Sequence, residues 1–171
     1  AGAGTVRLQA DAGSVFEFGS AAVTAAALGV RAGAGNVALN NSNDVDTLAA
    51  FASNSVGVVN VNGVTIGAVT AGGGFLATTG VTTTNGTISV TNNTSGNLTV
   101  SEAVSAGGAN AVALDANGGS GDLVVNAAVS SAGGSVTLTA DDDVTFDAAG
   151  DVSSNNGDVV VTGNADASGG G

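Results

Sequence analysis

The side chains able to do chemistry in this chain are almost all carboxylates. Of its 171 residues, 14 are acidic against two arginines, Arg7 and Arg31, giving a net charge of −12. Three acids run together as Asp141, Asp142 and Asp143, and Asp122 stands about one sequence repeat earlier. Asn97, Asp122 and Asp143 each precede the first apolar residue of a short alternating segment, so a repeating fold would stack them in one column. Carboxylates about 5 Å apart repel, and a calcium ion with hard oxygen ligands relieves that repulsion. Asp122, Asp141, Asp142 and Asp143 are therefore the candidate calcium ligands, with a solvated acidic corner screened by salt as the alternative. Gly118-Gly119-Ser120-Gly121-Asp122 is superficially similar to a calcium-binding nonapeptide, but its Asp falls one position early and no tandem copy follows. Paired carboxylates can also cleave glycosides. Here no Trp or Tyr offers a sugar platform, and the arginines lie over a hundred residues from the Asp run.

What is missing excludes more. Cys, His, Lys, Met, Pro, Trp and Tyr are all absent. Without Cys or His there is no thiolate nucleophile, no Ser-His-Asp triad, no zinc or haem ligand set and no disulfide. Two separated arginines cannot form the basic stripe that a phosphate backbone requires, so no nucleic-acid partner is expected. The longest apolar run, residues 21–30, contains Thr24 and is far too short for a membrane span. The start, Ala1-Gly2-Ala3-Gly4, has neither the charged region nor the apolar core of a signal peptide and no initiator Met, as expected of a processed product or a piece of something longer. No catalytic residue and no resident cofactor is assigned, and the expectation is a chain that is not an enzyme.

The elements that must position the acids follow from an internal repeat. A small/polar–apolar–x–apolar–polar unit recurs at Asn36-Val37-Ala38-Leu39-Asn40, Val58-Val59-Asn60-Val61-Asn62, Thr87-Ile88-Ser89-Val90-Thr91, Ala111-Val112-Ala113-Leu114-Asp115, Ser135-Val136-Thr137-Leu138-Thr139 and Asp158-Val159-Val160-Val161-Thr162. Its first apolar positions are spaced by 22, 29, 24, 24 and 23 residues. Each period subdivides into three short alternating segments, for instance Val136/Leu138, Val144/Phe146 and Val152, separated by turn pairs such as Asn85-Gly86 and Gly133-Gly134. Three short sides per period predict an all-β fold: a right-handed parallel β-solenoid (β-helix) of about seven coils of ~22–25 residues, rising about 4.8 Å per coil. Small and branched apolar residues suit so narrow an interior, and the lack of Pro suits strands paired on both edges. One domain spans residues 1–171: residues 1–34 form less regular first coils, residues 35–163 regular coils, and residues 164–171 a Gly-rich end. Residues 21–28, rich in Ala, are compatible with a coil side or a short helical turn. Asn40, Asn62, Thr91, Thr139 and Thr162 are expected on one outer face beside Asn60, Ser89 and Thr137, as a ladder of side-chain hydrogen bonds. The same face resembles the flat Thr arrays of ice-binding solenoids, but Ala38, Ala113, Val160 and Asp115 interrupt it.

The recurring Gly-[Asn/Asp]-apolar unit (Gly35-Asn36-Val37, Gly96-Asn97-Leu98, Gly121-Asp122-Leu123, Gly157-Asp158-Val159) and the stretch Val81-Thr82-Thr83-Thr84-Asn85-Gly86-Thr87-Ile88 resemble the β-helical shaft of filamentous-haemagglutinin-like adhesins. The resemblance covers roughly residues 35–163. It implies a shaft segment of a secreted bacterial exoprotein, extracellular or at the cell surface, and not a secretion domain or receptor-binding tip. The Asn-Pro motif of such secretion domains is impossible without Pro. The functional expectation is a structural shaft of an adhesin or biofilm-matrix fibre that self-associates end to end, with a host or cell surface as a further partner. A calcium-dependent surface or carbohydrate-binding module is the alternative. Neither Ala1-Gly2-Ala3-Gly4 nor Ser168-Gly169-Gly170-Gly171 reads as an amphipathic cap, and uncapped solenoid edges template association.

Overall fold

The computed structural model describes residues 2–164, and the Gly-rich end expected from residue 164 lies, from residue 165 onward, outside the described residues. Short alternating segments become strands, with no helix among the described residues. In chain order these are β1 (Thr5–Ala10), β2 (Val15–Phe16), β3 (Thr24–Ala32), β4 (Val37–Ala52), β5 (Val56–Asn60), β6 (Val64–Ile66), β7 (Ala68–Val69), β8 (Thr78–Thr79), β9 (Val81–Thr83) and β10 (Ile88–Asn92). They continue as β11 (Leu98–Val100), β12 (Val104–Ala106), β13 (Val112–Ala116), β14 (Leu123–Val125), β15 (Val129–Ser131), β16 (Val136–Ala140), β17 (Val144–Phe146), β18 (Val152–Ser154) and β19 (Val159–Thr162).

Every pairing except that of β7 with β8 is parallel, and the chain winds as a β-solenoid of about seven coils. Three faces result. One stacks β2, the start of β4, β5, β10, β13, β16 and β19. A second stacks β6, β11, β14 and β17, and a third stacks β9, β12, β15 and β18. In the first coils β1, β3 and the latter part of β4 run across the second and third faces without interruption.

Alternation sends every second residue inward, and identical register stacks those residues into ladders. Val37, Val56, Ile88, Val112 and Val136 form one such column, and Leu39, Val58, Val90, Leu114 and Leu138 the next, all buried. Val64, Leu98 and Leu123 line the second face and Ala50, Val81, Val104 and Val129 the third. Each buried Val or Leu contributes roughly 1.5–3 kcal/mol of burial free energy, so the ladders hold the coils together with no large side chain.

Two expectations are revised, and one open alternative is decided. The repeat unit placed at Val59 and Val61 is shifted: Val56 and Val58 face inward opposite Val37 and Leu39, while Val59 faces outward. Measured from Val56, the neighbouring spacings become 19 and 32 residues rather than 22 and 29. The long period contains an inserted antiparallel hairpin, β7–β8, between β6 and β9. The first 34 residues are also more regular than expected, because Val6 stacks on Leu28 and it is Val15 that stacks on Val37. Of the two readings of residues 21–28, the coil side is the one formed, as part of β3 from Thr24 onward. Parallel partners on both edges, β1 and β4, satisfy its backbone and override the helix propensity of Ala.

Candidate functional site

The acidic residues gather at the corner between the first and second faces. Leu98, Leu123 and Val144 are in register, so Asn97, Asp122 and Asp143 do stack in one column. The side chains of Asn97 and Asp122 are used in stacking. Asp122 accepts from the Asn97 amide at 3.1 Å through Oδ2 and from the Asp143 backbone N–H at 3.2 Å through Oδ1. Asn97 returns a bond, its Oδ1 accepting from the Asp122 N–H at 3.1 Å. Asp141 follows the end of β16, is nearly buried, and turns toward the coil below. One carboxylate oxygen accepts from the N–H groups of both Gly118 and Gly119, at 2.7 and 2.6 Å. Asp142 bonds through its backbone N–H to the Gly121 carbonyl at 3.3 Å. Among the described residues no three acidic side chains converge as a metal-holding group. Asp115, half-buried on the outer side of β13, has its carboxyl raised above the usual range by burial and then by the negative charge of Asp141.

Lower in the same corner, the inward residue is Asn. Asn43, Asn60 and Asn92 are fully buried, in register with Ala116 and Ala140 above them. Asn60 accepts from the Val45 N–H at 2.9 Å and donates to the carbonyls of Val45 (3.2 Å) and Asn62 (2.6 Å). Asn43 donates to Leu39, Asn41 and Val59 carbonyls, each at 3.1 Å, and accepts from the Val23 N–H at 2.7 Å. Most buried polar groups are bonded in this way. Asn60 was expected on the outer face, and Asn62 lies in the turn beyond β5. The outer row with Thr91, Asp115, Thr139 and Thr162 continues downward through Val59, so a continuous Asn/Thr ladder is not formed. The missed signal is an Asn recurring two residues after the second inward Val, as in Val58–Asn60 and Val90–Asn92. A hydroxyl ladder ties the corner after the third face in the same manner. Thr83 donates to Gly86, Ser131 to Asn110 and Ser154 to Gly134, while Ser131 also accepts from the N–H groups of Gly133 and Gly134.

Sequence reasoning passed over the second feature entirely. The hairpin inserted after β6 folds down the outside of the rod across the three coils below it. Val69 and Phe75 pack with Ala49 and Ala27 as a small satellite core. Gly29 makes this possible, since a Cβ there would lie 2.6 Å from Phe75 and 2.8 Å from Val69. Arg7 in β1 donates to the Thr70 carbonyl (2.9 Å) and hydroxyl (3.3 Å), Arg31 in β3 to the Thr78 hydroxyl (3.2 Å), and Gln9 accepts from the Leu76 N–H (2.9 Å). The Arg31 guanidinium also lies 4.6 Å from the centre of the Phe51 ring, a geometry worth about 0.5–1 kcal/mol at an exposed site. Both cations of the chain thus strap one hairpin. Its tip turns at Gly73 and Gly74, whose φ values of 59° and 89° give the paired left-handed conformation of a two-residue hairpin turn. Arg7, Gln9, Asp11 and the tip enclose an open notch of about 570 Å³.

The chain matches no protein-family model, no curated protein and no solved structure.

Proposed function

We propose that this chain is a structural shaft segment of a secreted bacterial adhesin or extracellular matrix fibre, continued end to end by further coils. The observation that carries this reading is the state of the last described coil. Its inward-facing column ends in Val159 and Val161, which with Val160 are 45–46 % exposed, and Phe146 in the same coil is 48 % exposed. Beneath them the equivalent residues Val136, Leu138 and Val125 are buried. An apolar interior left open in register with its own repeat is a seat for another coil.

The rest of the molecule supports a mechanical role. Backbone bonds between coils run along the rod, so extension loads many bonds together. Thr, Ser and Asn line the outer surface, and the acidic corner and its neighbouring ladders spend their polar atoms on tying coils to each other. Both arginines are engaged under the hairpin, which leaves trypsin few targets. Electron microscopy in negative stain and sedimentation over a concentration series test the reading. Rods that lengthen with concentration are expected. A compact particle that stays monomeric at the highest concentration overturns it.

A further inference from the structure

We infer that the hairpin tip and Arg7 form a clasp for a second copy of this chain, receiving the acidic turn at residues 147–151 of the copy stacked below. The inference rests on the end-to-end reading above and names the contact that fixes its register.

Register supplies the first argument. The corner between the second and third faces is marked at each level by the residues between two stacked pairs. Val6, Leu28, Leu48, Ile66, Val100, Val125 and Phe146 stack on one side of it. Leu8, Val30, Ala50, Val81, Val104, Val129 and Val152 stack on the other. The corner itself is therefore Arg7 in the first coil, Gly29 and Ala49 above it, then the hairpin, then residues 101–103, 126–128 and finally 147–151. Arg7 in the first described coil and the 147–151 turn in the last occupy the same edge. When one copy continues the ladders of another, these two are brought together.

Shape is the second argument. The hairpin leaves the rod at the fourth coil and descends to the first, about 14 Å at 4.8 Å per coil, where Thr70 and Leu76 meet Arg7 and Gln9. A Cβ on Gly73 or Gly74 would touch nothing, so the tip stands clear. The notch it encloses opens at the level of β1, whose other edge has no strand partner among the described residues. At the far end, the corner turn lengthens from three residues (126–128) to five (147–151), and Asp147, Ala148, Ala149 and Asp151 are exposed.

Charge is the third. Arg7 spends Nε and Nη2 on Thr70, and Nη1 has no partner among the described residues. Asp147 uses one oxygen on the Ala148 N–H at 2.6 Å, which leaves the other for a cation. Asp151 adds a second carboxylate four residues on. Within the notch Asp11 opposes this attraction, although its Oδ1 already accepts from Gln9 at 2.7 Å. Complementary rim charges mainly set register and orientation, and this pairing selects head-to-tail contact over tail-to-tail, where the two acidic turns would meet.

Sedimentation of the 171-residue chain gives the test, with wild type measured first. Asp147→Asn with Asp151→Asn lies far from the hairpin and leaves it intact; the association constant should fall about two- to tenfold and lose much of its salt dependence. Asp11→Asn should raise it by a similar factor. Arg7→Asp should weaken association, and combining it with Asp151→Arg should restore it. Wild type that assembles, paired with an Asp147→Asn/Asp151→Asn variant of unchanged association and salt dependence, refutes the clasp and leaves end-to-end stacking standing. Wild type that stays monomeric at every concentration removes both.

Discussion

Replacing Asn60 by Ala probes whether the buried amide ladder holds the corner. Asn60 is fully buried, and its side chain satisfies both the N–H and the carbonyl of Val45, itself fully buried in the coil below. Its third bond goes to the Asn62 carbonyl, in an exposed turn where water can take over. Truncation therefore orphans two buried backbone groups at about 1–3 kcal/mol each, and a loss of about 2–4 kcal/mol is expected. For a chain of this length that is a fall in Tm of roughly 5–15 °C. Asn92→Ala is the matched comparison. Asn92 sits in the same column, but it donates to the turn carbonyls of Ser95 and Gly96, and its own Oδ1 is unpartnered. No strand group is orphaned, so that loss should stay near 1 kcal/mol. Thermal melts followed by circular dichroism measure both. If the two variants shift Tm equally, or if Asn60→Ala shifts it by less than about 2 °C, the corner is held by the apolar ladders alone and the reasoning fails.

Gly29→Leu should unseat the hairpin, because its Cβ alone would come within 2.6 Å of the Phe75 ring; faster chymotrypsin cleavage beside Phe75 and Leu76, with the coil signal in circular dichroism retained, is the expected result. Asp115→Asn should raise Tm at neutral pH and have no such effect near pH 3. The folded-state carboxyl is raised, so wild-type stability is gained as pH falls through that value, and the amide removes the neutral-pH penalty in advance. Because Asp122 and Asp141 already accept hydrogen bonds from neighbouring coils, melts in calcium and in chelator should coincide; a rise of several degrees with calcium would return the acidic corner to the metal-binding reading.

Period-two alternation made the regular coils readable from sequence, since columns such as Ile88, Val112 and Val136 carry the same parity in strand after strand. Parity failed at β5. There Val58 and Val59 are adjacent, and the inward residue after Val58 is Asn60, so a buried polar side chain passed for an outward one. A register shift between Leu39 and Asn43 hid the true spacing. The column of Asn97, Asp122 and Asp143 was legible because each precedes an inward apolar residue. What the neighbouring Asp141 does was not, because its donors, Gly118 and Gly119, come from another coil and a turn. Residues 70–80 contain no charged residue to mark them as an element. Their folding back onto Arg7 and Arg31 depends on contacts about 50 to 70 residues apart, which no local pattern records.

The hairpin leaves the rod after Ile66 and rejoins it at Val81, and the strands on either side keep their stacking partners as though nothing had been inserted. A corner of this solenoid is therefore a tolerant site for guest sequence. Peptides grafted between Gly73 and Gly74 would be displayed without disturbing the interior. Natural variants could exchange the decoration on this edge while the scaffold beneath them stayed constant. Surface identity and structural integrity are carried by separate residues, so one can diversify under selection while the other is conserved.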